Sequence, residues 1–89
     1  MPEICRFLGI VISMYAEAGA RHNVPHFHAR YGEYQATFAI ETGDLLAGSL
    51  PRSQVRLIQG WVELRRGELM DDWTLLKQGR APHRVAPLT

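Results

Sequence analysis

Three histidines lie close together in the segment His22-Asn23-Val24-Pro25-His26-Phe27-His28. On a β-strand, residues i and i+2 project from the same face, so His26 and His28 sit side by side about 6.5–7 Å apart along the backbone. Imidazoles at that spacing can converge on one metal ion. With His22 swinging in from the preceding loop they would form a three-histidine zinc-type site, the metal acting as Lewis acid or hydroxide generator. Glu41 and His83 are more remote candidates for a further ligand. Without a metal, the same two rings could divide the roles of base and acid, for example at an RNA 2′-hydroxyl. Arg30 falls on the same face and would serve as the phosphate clamp. A third reading has the histidines as polar residues that shape a binding interface.

All three readings depend on the element that carries the pair. His26 to Tyr31 and Tyr34 to Thr42 read as two strands of a hairpin, joined by Gly32-Glu33 in a two-residue, type II′ turn. That turn places Tyr31 opposite Tyr34, Ala29 opposite Ala36, and Phe27 opposite Phe38. With Ile40 these make an apolar face, while His26, His28, Arg30, Gln35, Thr37 and Glu41 make the polar one. A slip of one residue would exchange the faces, so the site rests on this register.

The flanking chain supplies the rest of a domain. Ile4 to Tyr15 reads as one strand, apolar on both faces and therefore central in a sheet. Ala16 to Pro25 reads as a loop broken by Gly19, Asn23 and Pro25. After Thr42-Gly43-Asp44 comes a short strand, Leu45 to Leu50. A helix then begins near Pro51, capped by Ser49 or Leu50, with Val55, Leu57, Ile58, Trp61, Val62 and Leu64 as its apolar stripe. Gly67 is expected to end or kink it. A second helix, Glu68 to Gln78, is expected to follow and to stop at Gly79. Trp61 and Trp73 read as core residues. Residues 80–89 read as an extended tail from which Val85 can pack or pair.

The expected fold is α+β: a small antiparallel sheet of three to four strands in residues 1–50, packed against two helices in 51–79. All 89 residues form one domain. The single cysteine, Cys5, precludes an intrachain disulfide and reads as a buried, unreactive thiol, consistent with a reducing cytoplasm. The longest apolar run, Phe7 to Met14, is far below the roughly 20 residues that cross a bilayer. Net charge is only +1, with the basic residues concentrated in the C-terminal half, which permits an acidic or nucleic-acid partner without requiring one. Exposed edges in so small a sheet also make a homodimer plausible.

Several segments resemble one known family. They are Pro2 to Ile12, the Pro25-His26-Phe27-His28-Ala29 core, Tyr31-Gly32, Gly48-Ser49-Leu50-Pro51, Trp61-Val62-Glu63-Leu64, Glu68 to Trp73, and Val85-Ala86-Pro87-Leu88. Together they are similar to the bacterial domain of unknown function 4160. Val24 stands where that family usually has a second proline, and Arg65 where it often has a histidine. The resemblance implies a small bacterial cytoplasmic protein encoded beside a second small domain of unknown function (2442). That two-gene organisation looks like a toxin–antitoxin pair, so the implied partner is the small protein from the adjacent gene. No reaction or cofactor follows from the resemblance.

Overall fold

The segment expected as one continuous strand turns back on itself. In a computed structural model describing residues 2–15 and 24–89, β1 (Glu3–Phe7) and β2 (Ile10–Ser13) are joined by Leu8 and Gly9. Both turn residues have positive φ, 49° and 80°, as in a type I′ hairpin turn whose twist matches that of its strands. Phe7 and Ile10 are cross-strand partners and share the core face, while Leu8 is exposed in the turn. A leucine is a poor marker for this turn because its Cβ disfavours left-handed backbone. Apolar residues on both sides of the turn therefore mimic an uninterrupted strand.

The central hairpin has the expected register. β3 (His26–Tyr31) and β4 (Tyr34–Ala39) pair Tyr31 with Tyr34, Ala29 with Ala36, Phe27 with Phe38, and His28 with Thr37. Gly32 has φ 58°, whereas Glu33 has no positive φ, which fits the type II′ turn. β4 stops at Ala39, earlier than expected. Ile40 and Glu41 belong to the following turn, where the Ile40 amide donates to the Pro25 carbonyl and the Gly43 amide to the Ala39 carbonyl.

β5 (Leu45–Gly48) completes a five-stranded antiparallel meander in the order β1-β2-β3-β4-β5. The strand count thus exceeds the expected three to four because the first segment contributes two strands.

A single helix, α1 (Arg52–Lys77), replaces the two expected. Gly67 lies inside it, at a cost of about 1 kcal/mol relative to alanine. Burial on both sides of that glycine outweighs the cost: Ile58, Trp61 and Val62 precede it, Leu69 follows it, and all four are fully buried. Salt bridges Arg66–Glu63 and Arg65–Glu68 also run along this stretch. Pro51, rather than Ser49 or Leu50, occupies the N-cap, and no side chain caps the helix start. Its far end has the expected glycine. Gly79, at φ 74°, donates its amide to the Leu76 carbonyl while Arg80 donates to that of Leu75, the paired bonds of a Schellman motif.

α1 covers one face of the sheet. Trp61 sits at the centre, its ring 5.5 Å from Phe7 and 5.7 Å from Phe27. Beyond α1 the tail returns to the sheet. The Trp61 Nε1–H donates to the Ala86 carbonyl (2.8 Å), the His83 amide to Asp72 Oδ1 (2.8 Å), and the Val85 amide to the Ile4 carbonyl (2.8 Å). Residues 83–86 therefore strap the helix to the outer side of β1, and Val85 is buried as one of the core residues.

Candidate functional site

The face of the sheet turned away from α1 carries the polar residues. Strand pairing aligns Ser13, His28, Thr37 and Ala47 in one row across β2 to β5, and Val11, Arg30 and Gln35 in the next. These rows form an open groove of about 540 Å³, lined chiefly by Ser13, Tyr15, His28, Arg30, Gln35 and Thr37.

His28 faces this groove. Its ring stacks on Tyr15 at 4.5 Å between centroids and 11° between planes, and its Nδ1 lies 3.3 Å from the Thr37 hydroxyl. The stack and the hydroxyl together set the orientation of the imidazole. Tyr15 follows β2, two residues beyond Ser13, which brings it beside the strand that carries His28.

His26 is held differently. Only 4% of it is exposed, and its Nδ1–H donates to the Val24 carbonyl at 2.9 Å. Its ring lies 5.3 Å from that of His28 and 5.0 Å from Trp73 on α1. The two histidines are thus adjacent, as their spacing requires, yet His26 is walled in by His28 on one side and the helix on the other. His28 and exposed Arg30 remain for a partner or substrate to reach. His26 supports them by closing the end of β3 and tying it to the segment that leads into it.

Charge on and beside the open face is predominantly positive. Glu3, at one end of the groove, accepts from Arg6 (2.7 Å) and Arg84 (3.3 Å). The Arg6 guanidinium, assisted by Arg84, holds the Glu3 carboxyl below its ordinary range. Two arginines against this one carboxylate leave a positive excess, to which Arg30 adds.

The remaining candidates separate. His22 lies outside the described residues. Glu41 sits in the turn after β4, because that strand ends two residues before it, and so it leaves the expected polar face. His83 belongs to the tail, where its amide binds Asp72. Among the described residues no group of three or more His, Cys, Asp or Glu side chains is placed to hold a metal ion. Cys5 is buried in the core, and burial pushes its thiol pKa up, which suppresses the reactive thiolate.

A family model, Domain of unknown function (DUF4160), matches residues 9–74. The chain belongs to this family. The matched span contains His26, His28, Arg30 and the rest of the groove's polar row. Glu3, Arg6 and Arg84 lie outside it, so the charge cluster at the end of the groove is built from the two flanks of this DUF4160 chain. No curated protein and no solved structure matches the chain. Among the described residues, no helix is long and apolar enough to cross a membrane.

Tyr15 and the Glu3–Arg6–Arg84 cluster are the parts of the site that sequence reasoning passed over. Tyr15 looks like one more apolar strand residue until the turn at Leu8-Gly9 is known. Arg84 meets Glu3 across almost the full length of the chain, a contact with no local signature.

Proposed function

We propose that this DUF4160 protein is one component of a bacterial two-gene, toxin–antitoxin-like module, and that it works by binding its protein partner on the open face of the sheet. The observation that carries this reading is the asymmetry of the sheet. α1 seals one face, while the other presents a groove with His28, Arg30, Gln35 and Thr37 along it. Polar strand residues on an uncovered face give hydrogen bonding and orientation, and the excess of arginine favours an acidic segment in the partner. The two-gene arrangement implied by the resemblance supplies the candidate, the small protein encoded alongside.

Co-expression of the two proteins tests the proposal. The wild-type chain retains its tagged partner, the Arg30→Glu/His28→Ala variant loses it, and Arg80→Glu, the same charge change outside the groove, keeps it. Retention by the double variant would place the interface elsewhere.

A second reading, RNA cleavage, is favoured by the stacked Tyr15–His28 pair standing next to Arg30. In it His28 takes the proton from a 2′-hydroxyl, whose oxygen attacks the phosphorus of the phosphodiester held by Arg30; a 2′,3′-cyclic phosphate forms as the P–O5′ bond breaks, and the departing 5′-oxygen takes a proton from water. Buried His26 would then assist by positioning His28. Induced expression without the partner should arrest growth, and His28→Ala should abolish the arrest; harmless wild-type expression would argue against this chemistry.

A further inference from the structure

The two edges of the sheet are treated differently. The outer side of β1 receives the tail, through the Val85 amide to the Ile4 carbonyl and Arg84 to the Glu3 carbonyl. β5 is the other edge, and among the described residues no strand pairs with its outer side. All four of its residues, Leu45-Leu46-Ala47-Gly48, are exposed. Leu45 is 41% and Leu46 38% exposed, which is high for leucines in a strand. Its protection is partial: the strand is short and its pairing with β4 is interrupted by a bulge at Leu46, but it carries no lysine, no proline and no inward charge.

The charges around β5 indicate what pairs with it. Acidic Glu41 and Asp44 precede the strand. Arg52 and Arg56 follow it, and the first turn of α1 contains no acidic residue. An uncharged strand, acidic at its start and basic beyond its end, is complementary to an antiparallel copy of itself. Two-fold pairing brings each acidic start toward the other copy's basic end, including the positive end of the α1 dipole.

We infer that two copies of this chain associate through β5, edge to edge and antiparallel, to form a continuous ten-stranded sheet. Pairing uses the outer backbone edge of β5, whereas Ala47 and Gly48 meet the groove on its face, so His28 and Arg30 on β3 stay open in each protomer. Because a four-residue edge pairs over a small area, the dimer is reversible and its population rises with concentration.

Analytical ultracentrifugation of the full chain across micromolar concentrations tests this. The expected wild-type mass climbs toward twice the 10.1 kDa of one chain. Leu46→Lys, which sets a charge on the edge, should hold the mass at one chain while leaving the far-UV circular dichroism unchanged. Should that variant fail to fold, the charges decide: Asp44→Arg and Arg52→Asp each weaken association, and the double reversal restores it. A wild-type monomer at the highest concentration would overturn the inference, as would a dimer indifferent to both the lysine and the charge reversals. Arg30→Glu, which tests the groove, should leave the mass curve unchanged, so failure of the groove proposal and failure of this one are told apart.

Discussion

Gly48→Ala isolates how firmly β5 is held to β4. Gly48 has φ 75°, a conformation costing an L-residue roughly 1–2 kcal/mol. A Cβ at this position would fall on the Gln35 carbonyl oxygen and lie 2.9 Å from Ala36 Cα. Both obstacles are backbone of the neighbouring strand, so no side-chain rotation relieves them. The end of β5 must lift away, weakening the pairing of Gly48 with Ala36 and the bond from the Ser49 amide to the Gln35 carbonyl. Each hydrogen bond lost contributes about 1 kcal/mol. The total expected loss is therefore about 3 kcal/mol. Gly32→Ala provides the control, since Gly32 also has positive φ (58°) but nothing lies within 4 Å of an added Cβ. Its loss should be only the conformational part, about 1–2 kcal/mol. Urea denaturation followed by tryptophan fluorescence measures both. Equal losses at the two glycines would refute the close approach of β4 to β5.

Four further substitutions probe the site and its supports. Trp61→Phe removes the bond to the Ala86 carbonyl and should cost about 2 kcal/mol, with faster hydrogen exchange at Val85 as the strap loosens. His26→Ala, which orphans the Val24 carbonyl and opens a cavity against Trp73, should cost about 2 kcal/mol, and His28→Ala less than about 1 kcal/mol; thermal melts with the reverse order would contradict the division of roles. Asp72 is almost completely buried, and burial raises its pKa despite the opposing bond from the His83 amide and attraction to His83; Asp71 and Glu68 raise it further. The folded state therefore holds this proton more tightly than the unfolded state, and the stability it contributes at low pH is lost as pH rises through the folded pKa. Asp72→Asn should consequently gain stability relative to wild type as pH rises from acid to neutral. Glu3 and Glu63, whose pKa values are lowered by their arginine partners, act in the opposite sense but are common to both proteins and cancel in the difference.

The β3–β4 hairpin was legible because two strong local signals coincide. Gly32 marks a turn that admits few registers, and alternation from Phe27 to Tyr31 and from Tyr34 to Phe38 agrees with it. The placement of His28, Arg30, Gln35 and Thr37 on one face followed from that register. Leu8-Gly9 resisted reading because leucine at positive φ is rare, and the sequence around it keeps an apolar pattern through the turn. Gly67 misled in the opposite direction. Its intrinsic cost is real, but tertiary burial of Trp61, Val62 and Leu69 overrides it. Accessibility of the two histidines was beyond local pattern altogether, since His26 is closed off by Trp73, which lies far from it in sequence. The tail contacts from Arg84 and Val85 back to β1 depend on chain reversal after α1 and have the same character.

The central claim is that the open sheet face is the working surface of the protein. Its most direct test is the affinity of the purified chain for its proposed partner, the small adjacent-gene protein that the family resemblance implies, measured by titration calorimetry for wild type and Arg30→Glu at low and high salt. Arg30→Glu should weaken binding about tenfold or more, and the wild-type affinity should fall as salt is raised. Unchanged affinity in the variant, with both proteins folded, would contradict the claim.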